Sequence, residues 1–178
     1  MMVSALMVTQ PGREAFAEVA TRAYAEQDYP SVELIHVMDD GRPLGALRNE
    51  SVAMATGDLV IIWDDDDVHH PTRISEMVKA LGDADMAFLE RVTLRCHCGA
   101  ICISRRRQWE CTMIARRSAM AEYPADMEVA EDYSLVRSMA RSGRTRNLLD
   151  SPHLYVKVDH GGNTINHRGI IKRGGHKC

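Results

Sequence analysis

The sequence has no long apolar run. None of its 178 residues lie in a stretch approaching the roughly 20 apolar residues that a membrane-spanning helix needs. The apolar start at 1–8 also lacks the basic flank and the length of a signal peptide. We therefore expect a cytoplasmic protein without a transmembrane segment, and peripheral attachment to a membrane stays open.

The chain also lacks a strong net charge. Its formal charge is −3 at pH 7, whereas a dedicated nucleic-acid binder usually carries a basic face, so we expect no nucleic-acid partner. The charges are unevenly distributed, with carboxylates clustered at 64–67 and 125–132 and basic residues at 105–107, 116–117 and from 168 onward. This distribution suits a protein that binds an anionic ligand through a metal ion and cationic side chains.

Paired cysteines of the Cys-x2-Cys type are missing, although the chain has five cysteines. Four of them, Cys96, Cys98, Cys102 and Cys111, lie close together in the chain, with His97 among them. This cluster could bind zinc, but structural zinc sites usually show the paired spacing. Because no secretory signal is present, we expect unpaired thiols and keep zinc as the alternative.

Three short apolar runs alternate with three helix-period segments in the first part of the chain. We predict strands at 3–8, 32–37 and 59–63, and helices at 13–26, 45–55 and 71–81, the last beginning at Pro71. This order is typical of a doubly wound parallel sheet, in which right-handed crossovers cover both faces with helices. The predicted fold class is α/β, a Rossmann-like, mostly parallel sheet with helices on both faces.

The later part of the chain has a looser pattern. We predict strands within 86–94, at 111–115 and at 154–158, a strand or hairpin with a mobile loop over 96–108, and a helix at 132–141. The residues from 160 onward are rich in glycine, histidine and basic side chains. We predict one domain over 1–165 and a mobile basic tail over 166–178.

A run of four aspartates, 64–67, follows the third predicted strand directly. Ligands of an open parallel sheet bind outside the carboxyl ends of its strands, where Thr9 and Asp39 also end strands. Adjacent carboxylates repel one another, and a divalent cation such as Mg²⁺ or Mn²⁺ would remove that cost. If the extended backbone continues, Asp64 and Asp66 point to one side and Asp65 and Asp67 to the other. The alternative is a solvated acidic turn before the next helix.

Several segments resemble, in their order, those of the family-two glycosyltransferases, which have the GT-A fold and use nucleotide-diphospho-sugars. The resemblance runs from residue 3 to about residue 164. It is carried by the segments 3–9, 27–34, 39–41, 48–49, 55–58, 64–67 with Pro71, 131–135, and 160–164.

The resemblance implies a role for individual residues. Contacts to the nucleotide are implied for Thr9, Asp39, Asp40, Arg48, Asp64 and Asp65. Ligation of Mn²⁺ or Mg²⁺ is implied for Asp66, Asp64 and His160. Asp132 would be the catalytic base, with Trp109 and Glu131 on the acceptor side. The alternatives are a helix N-cap for Asp132, a surface position for His160 and a core position for Trp109.

The implied reaction is an inverting, hexosyltransferase-type transfer from a UDP- or GDP-sugar to an acceptor hydroxyl. In it, a metal ion and basic side chains from 104–107 or 168–173 would stabilise the leaving diphosphate. The sequence indicates neither the acceptor nor the oligomeric state. One alternative is a non-catalytic GT-A-like module that binds nucleotide or a partner. A nucleotidyltransferase is a weaker alternative, because 10–13 is a poor version of a phosphate-binding loop.

Overall fold

A computed structural model describes residues 1–160, which form two β-sheets and four α-helices. The strands are β1 (Val3–Thr9), β2 (Val32–Met38), β3 (Leu59–Ile62), β4 (Val68–His69), β5 (Met86–Leu89), β6 (Thr93–Arg95), β7 (Ile101–Ile103), β8 (Trp109–Arg116), β9 (Arg146–Leu149) and β10 (Tyr155–Val158). The helices are α1 (Glu14–Ala25), α2 (Leu44–Met54), α3 (Arg73–Leu81) and α4 (Glu131–Arg141), with short 3₁₀ helices at Arg117–Ala119 and Pro152–Leu154.

The larger sheet has the strand order β2-β1-β3-β8-β5-β9. Strand β8 runs antiparallel to both of its neighbours, and every other pair in this sheet is parallel. Strands β1, β2 and β3 therefore end at the same edge, and the loops that follow them meet there. The Asp39 amide already bonds the Thr9 carbonyl at 2.8 Å. The predicted α/β, mostly parallel sheet is confirmed.

Apolar side chains cover both faces of this sheet. On one face, α1 and α3 pack against alternate residues of β1 and β3, such as Ala5 and Ile61. On the other face, α4 and the end of α2 pack against the intervening residues, such as Leu6 and Ile62. Burial on both faces explains why these strands are almost entirely apolar. The predicted helices on both faces are confirmed.

A second, four-stranded sheet has the order β4-β10-β6-β7. Strand β4, which directly follows the aspartate run, pairs antiparallel with β10, so that Tyr155 lies opposite His69. Strand β10 in turn pairs parallel with β6. This sheet therefore brings residues from the end of the described chain against the aspartate run. Neither β4 nor β9 was predicted, because β4 has only two residues and β9 shows no apolar alternation.

Other local predictions had mixed outcomes. Helix α3 begins at Arg73 with Thr72 as its N-cap, so the predicted start at Pro71 is wrong. The reason is a turn, in which the Arg73 amide bonds the His70 carbonyl at 2.9 Å. Of the strand or hairpin predicted over 96–108, the structure has a hairpin, but it is formed by β6 and β7 and its first strand precedes residue 96. The predicted tail over 166–178 lies outside the described residues.

No helix within 1–160 is long and apolar enough to cross a membrane.

Helix α2 is joined tightly to the segment that leads into α4. The Asn49 side chain exchanges two hydrogen bonds with the backbone of Tyr123, at 2.9 and 2.8 Å, and the Gly45 amide bonds the Met127 carbonyl at 3.0 Å. A Cβ at Gly45 would lie 1.9 Å from the Pro124 carbonyl oxygen. Glycine is therefore required for this approach, which also sets the distance between α2 and the start of α4.

We predict that Gly45→Ala destabilises the protein, although alanine is the better helix former. The added methyl group meets backbone rather than a flexible side chain, and such overpacking costs about 1–3 kcal/mol. Chemical denaturation should show this as a lower free energy of unfolding. Met54→Ala, at a half-exposed position of the same helix, is the control and should have a small effect. A stabilised Gly45→Ala protein would contradict the close approach.

Candidate active site

A cleft of about 550 Å³ lies at the carboxyl ends of β1 and β3. Seven of the predicted site residues line it: Arg48, Asp64, Asp65, Asp66, Trp109, Glu131 and Asp132. Thr9, Asp39 and Asp40 are not among its lining residues. His160 adjoins the cleft through Asp66, because its Nε2 lies 3.1 Å from Asp66 Oδ2. Tertiary structure thus gathers most of the predicted residues around one cavity.

The aspartate run forms a turn rather than a continued strand. Asp64 and Asp67 consequently share partners on β10. Lys157 Nζ lies 2.7 Å from Asp67 Oδ2 and 3.6 Å from Asp64 Oδ2, and the Tyr155 hydroxyl hydrogen-bonds both carboxylates. The extended geometry that would place Asp64 with Asp66 and Asp65 with Asp67 therefore does not continue through the run. The reason is the turn, which places the first and last carboxylates of the run together.

The two middle aspartates share a different partner, Arg13. Its Nη1 lies 3.3 Å from Asp66 Oδ2 and 3.7 Å from Asp65 Oδ1. Asp65 Oδ2 is buried and has no hydrogen-bond partner among the described residues. Burial, together with the adjacent charge of Asp66, raises the pKa of Asp65 to about 6. The charge of Arg13 opposes this rise in the pKa of Asp65 without cancelling it.

A buried cluster of Trp63, His69 and Arg73 lies next to the aspartate run and holds the backbone that leads into it. The His69 ring stacks on Trp63 with centroids 3.9 Å apart, and its Nε2–H donates to the Asp64 carbonyl at 2.9 Å. Arg73 donates to His69 Nδ1 at 2.5 Å and to the Ile62 carbonyl at 2.9 Å. Burial, followed by the charge of Arg73, holds the pKa of His69 well below its usual value. His69 is therefore neutral, and the cluster holds the backbone on both sides of Trp63.

Arg48 lies between the aspartate run and the start of α4. Its Nη2 donates to Asp64 Oδ1 at 2.9 Å and lies 3.9 Å from Asp132 Oδ2, while its Nε lies 3.6 Å from Glu131 Oε1. Burial opposes a charge here, but the carboxylates of Asp132 and Asp64 keep the pKa of Arg48 well above its usual value. Burial likewise opposes ionisation of Asp64, yet Arg48 and Lys157 lower its pKa.

Asp132 is the second residue of α4, whose N-cap is Ala130 in the left-handed conformation, with φ of 62°. The alternative of Asp132 as an N-cap is therefore wrong. Burial raises the pKa of Asp132 to about 7, against the charge of Arg48 and with further help from Glu131. Its Oδ1 is buried without a hydrogen-bond partner among the described residues. A carboxyl in this setting can accept a proton near neutral pH.

Trp109 was predicted on the acceptor side, with a core position as the alternative. It packs in the apolar core and also lines the cleft. The Arg107 guanidinium lies 4.1 Å from the centroid of its ring. The neighbouring Arg106 instead pairs with Glu90 and Asp150, away from the aspartate run. Of the basic loop at 104–107, Arg107 is thus the arginine that lines the cleft. The segment 168–173 lies outside the described residues.

The remaining predicted nucleotide contacts lie on or beneath the neighbouring loops. The Thr9 side chain is buried and lies 2.9 Å from His36 Nε2. Asp39 accepts a hydrogen bond from the Gly41 amide at 2.8 Å, and Asp40 pairs with Arg42 at 2.9 Å on the exposed loop after β2. These contacts shape the loops, and the proposed binding to the nucleotide stays a prediction.

Sequence reasoning overlooked four residues of this site: Arg13, Tyr155, Lys157 and Cys111. Arg13 and Lys157 are single cations at the ends of unremarkable segments, and only the pairing of β4 with β10 brings Lys157 to the run. Cys111 lies on β8 and lines the cleft, so it is separated from the cysteines of the β6–β7 hairpin.

Comparison with known proteins places this site in context. No curated protein matches the chain. Among solved structures, S. aureus TarS 1-349 in complex with UDP superimposes with a TM-score of 0.73 at 16% identity, over 89% of this chain and 61% of that one. The same TarS fragment with UDP-GlcNAc gives 0.72 at 14% identity, over 97% and 64%.

A mannosyltransferase, PcManGT from Pyrobaculum calidifontis in complex with GDP-Man and Mn²⁺, gives a TM-score of 0.66 at 17% identity, over 96% of this chain and 60% of that one. The chain therefore spans about three fifths of the length of these proteins. Identities this low show the fold alone, which is the GT-A fold. The profile of "Glycosyl transferase family 2" matches residues 14–124, more than half of the sequence. The chain belongs to glycosyl transferase family 2.

Proposed function

We propose that this protein transfers a hexose from a nucleoside-diphosphate sugar, UDP- or GDP-linked, to an acceptor hydroxyl with inversion at the anomeric carbon. One observation carries the proposal. Asp132, a buried carboxyl with a pKa of about 7, lines the same cleft as the aspartate run and is linked to Asp64 through the guanidinium of Arg48. Membership of glycosyl transferase family 2 supports the reaction class.

Asp132 is the proposed general base. An acceptor hydroxyl attacks the sugar on the face opposite the leaving diphosphate, and a carboxylate within hydrogen-bond reach takes its proton. A single base acting on that face leads to inversion. Its raised pKa suits the role, because a base with a pKa near the working pH combines a large ionised fraction with a useful proton affinity. Glu131 and Trp109, which also line the cleft, would form the acceptor side.

The donor nucleotide is proposed to lie along the carboxyl ends of β1, β2 and β3. Thr9, Asp39 and Asp40 end the first two strands, and Asp64 and Asp65 follow the third. Arg48 acts on the nucleotide through Asp64, which it holds in place at 2.9 Å. Arg13, Arg107 and Lys157 line the cleft and would attract the negatively charged diphosphate.

The proposed position of a divalent cation, Mn²⁺ or Mg²⁺, is the side of the run formed by Asp65 and Asp66. Asp66 Oδ2 and His160 Nε2 lie 3.1 Å apart, and the neighbouring Asp65 Oδ2 is buried without a partner among the described residues. Carboxylate oxygens and an imidazole nitrogen are suitable ligands for Mn²⁺. Asp64, also predicted as a ligand, would have to give up a contact to Arg48 or Tyr155. When bound, the cation would offset the charge on the leaving diphosphate.

We predict that Asp132→Asn loses sugar transfer but keeps nucleotide binding. The amide cannot accept the proton of the acceptor, and loss of a general base lowers kcat by roughly 10²–10⁴-fold. Product formation from a panel of UDP- and GDP-sugars and calorimetric binding of UDP or GDP measure the two properties. Asp126→Asn, an exposed carboxylate outside the cleft, is the matched control and should keep both. Full activity of Asp132→Asn would refute the assignment of the base.

The same base predicts the pH dependence of transfer. Asp132 must be deprotonated to act, so kcat/KM should rise as the pH passes through about 7 and level off above it. The charge of Arg48 lowers the pKa of Asp132, so Arg48→Gln should move this acid limb to higher pH. Arg22→Gln, on the exposed surface of α1, is the control. An acid limb that stays in place in Arg48→Gln would argue against this coupling.

Metal-dependent nucleotide binding should require Asp66. We expect UDP or GDP to raise the melting temperature of the wild-type protein more with Mn²⁺ than without it. Asp66→Asn should remove the Mn²⁺-dependent part, because it removes a charged ligand next to His160. Asp83→Asn, an exposed aspartate after α3, should behave like the wild type. If no nucleotide shifts the melting temperature of the wild type, the donor site is disproved; binding without any transfer would favour a non-catalytic module.

A further inference from the structure

A second group of metal-ligand side chains lies at the turn of the β6–β7 hairpin. It consists of Cys96, His97 and Asp159, whose nearest ligand atoms all lie within 4.8 Å of one another. The Cys96 side chain is buried, His97 is about half exposed, and Asp159 is mostly buried. None of these residues belongs to the cleft at the carboxyl ends of β1 and β3.

Two separations between these ligand atoms match those of a tetrahedral zinc site. Cys96 Sγ and Asp159 Oδ2 each lie 3.6 Å from His97 Nδ1. Zinc binds sulfur at about 2.3 Å and nitrogen or oxygen at about 2.0–2.2 Å, so tetrahedral geometry separates the ligand atoms by roughly 3.4–3.6 Å. Both observed separations agree with that range. A direct charged N–H···O hydrogen bond, by contrast, would bring His97 and Asp159 to about 2.7–2.9 Å.

Backbone hydrogen bonds hold the ligands in this arrangement. The Cys96 amide bonds the Ala100 carbonyl and the Gly99 amide bonds the Cys96 carbonyl, both at 2.9 Å, which closes the turn. Gly99 has a φ of 85°, a conformation that favours glycine. The Asp159 amide bonds the Arg95 carbonyl at 2.8 Å, and this bond fixes the end of β10 beside the hairpin. Ligands from two separate segments are therefore positioned by the main chain.

We propose that Cys96, His97 and Asp159 bind a zinc ion that fastens the β6–β7 hairpin to the end of β10. On binding, the Cys96 thiol releases its proton to solvent and the thiolate becomes the sulfur ligand. One further position of a tetrahedral ion remains for solvent. The ligand set differs from the four-cysteine grouping considered from the sequence, because Cys111 belongs to the cleft and Asp159 takes part instead.

The choice of zinc follows from the ligand types. A thiolate and an imidazole nitrogen are soft or borderline ligands, which zinc accepts readily and which Mg²⁺ does not. The proposed divalent-cation site at Asp65 and Asp66 offers mainly carboxylate oxygen instead. Only the hairpin site has a sulfur ligand, and Asp66→Asn alters only the donor site, so that either proposal can fail without the other.

The test is the zinc content and zinc affinity of the full chain, purified without a histidine tag and reconstituted with Zn²⁺ under reducing conditions. We expect about one tightly bound Zn²⁺ per chain and a higher melting temperature with Zn²⁺ than with a chelator. His97→Ala and Asp159→Asn should lower the zinc affinity at least tenfold. His97 is the sharper variant, because its half-exposed side chain contributes little to the core and its loss should leave the fold intact.

Cobalt substitution tests the sulfur ligand directly. Co²⁺ in the wild-type protein should show thiolate-to-metal charge-transfer absorption, and Cys96→Ser should lose it. Two controls should keep zinc binding: His153→Ala, an exposed histidine elsewhere on the surface, and Asp66→Asn, which alters only the proposed donor site. The proposal is overturned if the folded wild type retains no zinc after reconstitution, or if His97→Ala and Asp159→Asn bind zinc as the wild type does.

Discussion

The rest of the site depends on the ion pairs that the buried guanidinium of Arg48 makes with nearby carboxylates. Arg48 lies on α2 and reaches Asp64 after β3 and the pair Glu131 and Asp132 at the start of α4. Without this cation, three carboxylates would face one another in a poorly solvated place, and breaking a buried ion pair typically costs about 3–5 kcal/mol. The tight approach of α2 at Gly45 serves the same end, because it brings Arg48 to the start of α4.

The aspartate run is stable for a related reason. Its four carboxylates are met by cations from three distant parts of the chain: Arg13 before α1, Arg48 in α2 and Lys157 in β10. The compensation is uneven, since Asp64 is held ionised whereas burial raises the pKa of both Asp65 and Asp67 to about 6. The proposed divalent cation would lie beside Asp66 and His160, where it would offset part of the charge of the run.

The helices and strands were predicted best where the local pattern of apolar residues is clearest. Strands β1, β2 and β3 and helices α1 and α2 were predicted to within about two residues, because the strands are short apolar runs and the helices lie between them in segments bounded by glycine or proline. Strand β4 was missed because two residues carry no period. The orientation of the aspartates was predicted wrongly because the chain turns at Asp65, and nothing in four identical side chains indicates where an extended segment stops.

The sequence by itself determined the α/β class, the order of the elements and the edge of the sheet at which Asp64 to Asp67 lie, because these follow from hydrophobic periodicity and from the parallel connections between strands. Only the tertiary structure decided which charges meet. Lys157 reaches Asp67 and Arg48 reaches Asp132 across long stretches of chain. Asp159 reaches His97 in the same way. Such contacts depend on strand pairing and helix packing, and burial at those contacts then sets the pKa of each carboxyl.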